Sequence, residues 1–568
     1  MNSFYKLLEE MCASLLSAQI TGGEDAGAFR CEACGTVHGR ADNAVFPMAY
    51  MFAATGDEKY TDCIRKLLVF QKELTDENGA VCNDRGNNWR GITVFSAIRF
   101  YQTLVRFGSV LPGDIKNTLE TRLAAMGAWV FENVRPGFRA NINYYCAAAY
   151  VNAACGEYFG NGDYTENARE LLAYCMGLFT ENGLLAGEGQ PHDSRTAKDC
   201  VPFDAGYCAE ESYPCLAGAA KILGDIETLQ RLAKYALSFS ALILPDGGLD
   251  NSFGSRNNKW TYYGGRTSDG LAAGFLILSA YAPELREKAV LNTRLLERCF
   301  EDGQLYGGIN CKQYGQPACV HLLFSHAAGL ADALCEGLDD DLPDPIPKND
   351  SYSYQYLPET DTYMINAGPW RATVTGYDFR TYTFERGAAH SSGGSLSLLY
   401  HRDAGITVAG SVFEYKRTEP NNMPEPAGDI VHASLIPRAE YEKDGCVYAT
   451  CLDPSAELTA ENDGNAVAVC AKSRFVRVEG LAAEDEELTA FLQYCFNAEK
   501  TKITVSLSKE KDGVRFVLPL IEGAAEIRSE QPFTVRGIFC LAGGFRADEY
   551  TFIPEHGKCV IDIFPRKK

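Results

Sequence analysis

The hydrophobic period of this chain changes once, and that change sets what it can fold into. Up to about residue 337, apolar side chains recur every three or four positions, as in YTDCIRKLLVFQKEL, TVFSAIRFYQTLVRFG and TLQRLAKYALSFSALI, the spacing of amphipathic helices. Beyond about residue 361 the spacing drops to two, in RATVTGYD, GITVAGSVFEY and KCVIDIFP, which reads as short strands separated by turns. Between the two regions GLDDDLPDPIPKNDSYSYQYLPETD carries four prolines and a run of acids, a composition that no helix tolerates. The pattern predicts a multidomain chain, α then β. A helical domain spans residues 1–337, a linker 338–360 and an antiparallel β-sandwich 361–568.

A second regularity lies inside the helical half. DENGAVCND, TENGLLAGEG, LPDGGLDNSFG and FEDGQLYGG each follow a helical segment and share an Asn-Gly or Asp-Gly turn, then one residue of any type, then an apolar one. Such turns supply the positive φ that ends a helix and reverses the chain. Helical hairpins with matched turns predict an (α/α) toroid, in which the turns collect on one rim and residues distant in sequence share a pocket.

The rim segments hold polar and aromatic residues that a solvated loop has no reason to carry. NNWRGITVF offers Asn88, Trp89 and Arg90, and FRANINYY offers Asn141 and Asn143. GEGQPHDSRTAKDCVPFDAGYCAEES offers Glu188, His192, Asp204, Tyr207, Glu210 and Glu211. DGGLDNSFGSRNNKWTYYGGRTSDG offers Asp250, Arg256, Lys259, Trp260, Tyr262, Tyr263 and Arg266. A further segment, GGINCKQYGQPACVHLLFSH, adds Tyr306, His321 and His326. Aromatic rings stack on sugar faces, and Arg and Lys bind carboxylates. The expected partner is thus an acidic oligosaccharide, with Asn88, Trp89, Arg90, Asn141, Asp250 and the 256–266 residues as its binding wall. A net charge of -22 argues against nucleic acid or an anionic membrane. No basic leader with an unbroken apolar run is read at the N-terminus, so a cytoplasmic location is expected. A homo-oligomer is compatible with this composition.

CEACGTVHGRAD places Cys31 and Cys34 in CxxC spacing with His38 beyond them. Three such ligands leave a zinc site one short. Reduced core cysteines compete with a structural zinc whose fourth ligand would come from elsewhere. A lone CxxC is a weak metal signal, so reduced cysteines are the first expectation and a structural zinc the second, and the catalysis is expected to need no cofactor.

The hairpin repeats followed by AAHSSGGSLSLLYHRDAGITVAG, with His390 ahead of a Gly-Ser strand, resemble the heparinase II/III-type polysaccharide lyases. NINYY is similar to the segment that supplies their carboxylate-neutralising Asn, although Tyr144 stands where a histidine is common there. DAGYCAEES lies where a catalytic Tyr would fall. The 250–270 segment also resembles that of bacterial toroid enzymes acting on glucuronate-containing glycans, exo-glucuronidases included. The lyase resemblance implies β-elimination, with Asn143 and Arg256 or Arg266 neutralising the uronate carboxylate. Tyr207 would act as acid or base, with His192 or His390 beside it. The alternative is a glycoside hydrolase using two carboxyl groups among Glu188, Asp204, Glu210, Glu211 and Asp250. A non-catalytic glycan-binding protein is the third reading.

Overall fold

The computed structural model describes residues 2–265, 270–340, 351–380, 389–417, 423 and 432–566. The helical half is a closed ring of six hairpins. The inner helices are α2 (Val45–Thr55), α4 (Thr93–Phe107), α6 (Ile142–Phe159), α9 (Tyr213–Ile222), α11 (Ala272–Leu278) and α13 (Val320–Cys335). Each packs on the next, and α13 returns to α2. The outer layer comprises α1 (Ser3–Ala18), α3 (Glu58–Glu73), α5 (Gly113–Asn133), α7 (Gly162–Met176), α10 (Ile226–Phe239) and α12 (Glu284–Cys299). A short turn, α8 (Ala205–Tyr207), precedes α9. The layering follows from composition. Helix α4 buries every residue from Thr93 to Leu104, as an element covered on all sides must. Helix α10 keeps one apolar stripe, Leu229, Leu232, Ala233 and Ala236, under an exposed polar face. Among the described residues, no helix is long and apolar enough to cross a membrane.

The repeated turns close small β-bridges after outer helices, pairing Thr75 with Val81, Phe179 with Leu185 and Ile243 with Leu249. Gly183 has φ +79° and lies against the next hairpin, where an added Cβ would sit 2.6 Å from the Tyr235 carbonyl oxygen. Gly303, in the corresponding turn, has φ +74° but open space around it. Both substitutions to Ala carry a left-handed backbone penalty of about 1–2 kcal/mol. Only Gly183→Ala adds overpacking, about 1–3 kcal/mol more. Urea unfolding should rank Gly183→Ala clearly below Gly303→Ala, and equal losses would contradict this packing.

Among the described residues, the β domain contains three antiparallel sheets. The first runs through Tyr352–Leu357, Thr362–Ala367, Trp370–Thr375, Ser395–His401 and Gly405–Ala409. Strand formation thus begins at Tyr352, inside the segment read as linker. Tyr352, Tyr354 and Tyr356 alternate along it, and Pro358 sits in the 3-10 turn that follows. Residues 341–350 of that linker lie outside the described residues. Strand Ser395–His401 is buried at every position because both faces are covered. Leu396 and Leu399 join the core shared with the other two sheets, while Leu398 and Tyr400 join the core of the helical ring. The first sheet is therefore the layer that seats the sandwich on the toroid.

Candidate active site

All six inner helices begin on one rim, and the approach to each supplies a wall of one cavity. His38 and Arg40 precede α2, Ile92 and Phe95 open α4, and Asn143 and Tyr144 open α6. Tyr207 and Glu211 precede α9, Arg256 lies on the loop before α11, and His321 is in the first turn of α13. The positive ends of the inner helices thus converge where an anionic ligand would sit.

Asn143 is 1 % exposed. Its Nδ2 donates to Glu211 Oε2 at 2.6 Å, and Glu211 Oε1 meets Arg40 Nη1 at 3.2 Å. The Arg40 guanidinium lies 4.1 Å over the Phe95 ring. The Asn143 amide is thereby held in one orientation, with its second N–H left for a ligand. Glu211 is carried on a π-helical turn, Cys208–Ser212, an irregularity common at functional sites. Glu210, its neighbour, points elsewhere and accepts from the Gly270 N–H at 3.0 Å.

Tyr207 faces the same cavity. Its ring lies 4.5 Å below the Arg256 guanidinium, and Lys259 Nζ is 3.4 Å from its hydroxyl. One cation thus lies over the phenol ring and a second meets its hydroxyl. Asp204 fixes this pairing: it caps the turn by accepting from the Tyr207 N–H at 3.1 Å and accepts the Arg256 N–H at 3.0 Å. Glu188 lies 3.8 Å from Arg256. Burial nonetheless pushes its carboxyl up to about 8, against the pull of Arg256 and with Asp204 and Glu211 adding to the rise.

That shift sets a sign for pH dependence. Folded Glu188 keeps its proton up to about pH 8, whereas an unfolded glutamate ionises near pH 4.3. The folded state therefore binds the extra proton, and this residue's contribution to stability falls as pH rises between those values. The wild-type advantage over Glu188→Gln should shrink with pH by up to about 1.4 kcal/mol per unit. Urea unfolding of both proteins across the range measures it, and a pH-independent difference would refute it.

The other sequence-predicted residues separate. Trp260, Tyr262 and Tyr263 do not form a sugar platform: they are at most 2 % exposed. Trp260 and Tyr262 pack on Phe545 of the β domain, and the Tyr263 hydroxyl donates to the Tyr306 carbonyl. Trp260 and Tyr262 thus serve the interdomain core, and Tyr263 packs edge-on against His326 within the ring. Asp250 also leaves the cavity, accepting from Ser252 and from Thr373 of the first sheet. Trp89 stands one layer behind, donating from Nε1 to the Tyr144 hydroxyl at 3.0 Å. Arg90 is paired with Asp76, Asn88 is exposed, and Asn141 sits at the N-cap of α6. Arg266 lies outside the described residues.

Neither histidine expected to partner Tyr207 lines the cavity. His192 Nε2 donates to the Ala140 carbonyl at 2.7 Å and Nδ1 accepts from the Tyr174 hydroxyl at 2.9 Å. Burial holds this ring below the usual histidine range, so it is a neutral brace beneath the α6 N-terminus. His390 is likewise held low by burial. Its Nε2 lies 2.5 Å from the Phe379 carbonyl and its ring 5.1 Å from that of Tyr377. The imidazoles at the cavity are His38 and His321. Arg40 was not singled out from the sequence, although it stands two residues beyond His38. Its signal was an arginine in the turn Gly39–Ala44 that leads into the largely apolar helix α2.

The ulvan lyase N-terminal domain profile matches residues 8–342 and the C-terminal domain profile residues 354–535. The chain belongs to the ulvan lyase family. A curated member, the broad-specificity ulvan lyase of Formosa agariphila, is 33% identical over 535 residues, spanning 91% of this chain and 82% of the relative. As an ulvan lyase family member, the chain is a polysaccharide lyase. Its fold is shared with heparinase III (TM-score 0.53, 12% identity, 92% of this chain and 76% of that chain). It is also shared with the Streptomyces coelicolor A3 chondroitin AC lyase (TM-score 0.54, 12% identity, 99% and 79%). The heparinase-like architecture expected from the sequence is thus the family's own.

Proposed function

We propose that this chain cleaves ulvan, or acidic oligosaccharides derived from it, by β-elimination at a uronate residue, glucuronate being the first candidate. The observation that carries the chemistry is Tyr207, its ring under Arg256 and its hydroxyl against Lys259, in the cavity that also contains Asn143. Elimination starts with loss of the C5 proton, which requires that the neighbouring carboxylate accept negative charge. The remaining Asn143 N–H and the Arg256 guanidinium are the donors for that carboxylate. Tyr207, as phenolate, takes the C5 proton; the C5–H electrons form the C4–C5 double bond and the C4–O bond breaks. The leaving oxygen then takes a proton. Tyr207 returns it when both groups lie on one face of the sugar, and His321 is the nearby donor when they do not.

The hydrolase alternative asks for two carboxyl groups across the cavity, free to act on the glycosidic oxygen and on water. Glu211 is committed to Arg40 and Asn143, Asp204 to two backbone amides, and Asp250 to Ser252 and Thr373. These engagements favour elimination.

The full chain incubated with ulvan should develop the ultraviolet absorbance of a conjugated, unsaturated uronate. Its fragments should be lighter by one water than hydrolysis products. Saturated fragments without that absorbance would overturn elimination. Products from a different uronate glycan, with none from ulvan, would overturn the substrate.

A further inference from the structure

Three thiols from opposite ends of the helical domain meet beside the cavity. Cys31 Sγ lies 3.6 Å from Cys319 Sγ across 288 residues of chain, and Cys34 Sγ lies 4.0 Å from the same sulfur. The three sulfurs are mutually within 4.8 Å, and all three residues are buried. Ligand atoms of Cys34, His38 and His321 form a second group within the same limit, so imidazole nitrogen borders the thiols. His38 is 2 % exposed, and its Nε2 has no hydrogen-bond partner. A buried ring nitrogen left bare in this way is unfavourable unless something binds it.

The local backbone is shaped to present these atoms together. Cys31 and Cys34 flank the turn of a two-stranded ribbon, Arg30–Cys31 with Thr36–Val37. The turn is closed by a 2.8 Å bond from the Gly35 N–H to the Cys31 carbonyl, with Gly35 at φ +71°. Cys319 is the N-cap of α13, where its sulfur accepts from the Leu322 N–H at 3.5 Å. Thiolates around a tetrahedral zinc, at zinc–sulfur distances near 2.3 Å, stand about 3.8 Å apart. The observed 3.6 and 4.0 Å bracket that value.

We infer that Cys31, Cys34, Cys319 and His38 bind one zinc ion that fastens the seam where the last helix of the ring meets the first. Three soft sulfurs and one imidazole are a zinc ligand set, and four protein ligands make a closed, structural site rather than a catalytic one. CxxC and the following histidine are visible in the sequence; the fourth ligand, Cys319, is supplied only by closure of the toroid. The position also gives the ion a functional consequence. His38 is two residues from Arg40, and the intervening Gly39 N–H bonds the Asn83 carbonyl at 2.6 Å. Zinc at His38 therefore steadies the backbone that aims Arg40 at Glu211, and through Glu211 the amide of Asn143.

The test is elemental analysis of the full chain, purified under reducing conditions without chelator, together with cobalt substitution. One zinc per chain is expected. The cobalt form should show the visible bands of a tetrahedral ion and near-ultraviolet thiolate-to-metal charge transfer. Cys319→Ser should lose most of the bound zinc. Three results would overturn the site: a reduced wild-type chain that takes up no zinc on titration, a cobalt form without thiolate charge transfer, or full zinc retention in Cys319→Ser. Should Cys319→Ser fail to fold, the wild-type stoichiometry and cobalt spectrum decide the matter alone. Zinc content is read without substrate, so its absence would leave the lyase chemistry standing.

Discussion

Tyr207→Phe is expected to lower the elimination rate by about 10²–10⁴-fold, the range for removing a positioned acid or base. Only the hydroxyl is deleted. The ring stays beneath Arg256, and the Asp204 cap acts through the Tyr207 backbone N–H, so thermal stability should change little. The loss should fall on kcat more than on KM, because the proton is transferred in the transition state while the carboxylate is held in both states. Initial rates of ultraviolet-absorbing product formation on ulvan, with circular dichroism as the folding control, measure this. A Phe variant retaining more than a tenth of the wild-type kcat would remove Tyr207 from the chemistry.

Arg40→Ala should affect both stability and turnover. The Arg40 and Glu211 side chains are 5% and 1% exposed, so deleting the guanidinium removes the cation from a buried carboxylate. Breaking such a pair costs about 3–5 kcal/mol. Glu211 also sets the Asn143 amide at 2.6 Å, and misplacing a substrate-binding group by an ångström costs roughly 10²-fold in rate. Adding Glu211→Gln to Arg40→Ala separates the two effects. The double variant should recover stability, because the buried charge has gone, but not rate, because Asn143 loses its charged acceptor. Urea unfolding and steady-state kinetics of Arg40→Ala, Glu211→Gln and the double variant complete the cycle. Recovery of rate in the double variant would show that Glu211 does not position Asn143.

The rim was the most legible part of the site. The turns of DENG, TENG, PDGG and FEDG mark where the chain reverses, and the segments leading into the inner helices contain Asn143, Tyr207, Glu211 and Arg256. Which side chains share the cavity was much less legible. DNSFGSRNNKWTYYGG reads as one aromatic, basic wall. In the fold it divides at Lys259: Arg256 and Lys259 turn to Tyr207, while Trp260, Tyr262 and Tyr263 are drawn into the interface with Phe545 and the Tyr306 segment. Burying those rings releases more free energy than leaving them for an occasional sugar, about 25 cal/mol per Å² of apolar surface. Nothing within the loop announces that surface; it comes from a strand nearly three hundred residues later. The histidines follow the same rule. His192 and His390 stand in suggestive local company, but each is committed to backbone carbonyls, whereas His38 and His321 reach the cavity because two helices at the ends of the ring adjoin.

The amino-acid sequence by itself determined the architecture: helical hairpins, a proline-bearing break and a β-sandwich. These follow from hydrophobic period and turn chemistry, which act over a few residues and are read locally. Tertiary structure alone decided the partnerships: Arg40 with Glu211, Lys259 with Tyr207, and Cys319 with Cys31. Each joins residues far apart in the chain that only the packing of the inner helices makes neighbours. Burial and pairing energies depend on that proximity, and no local pattern encodes it.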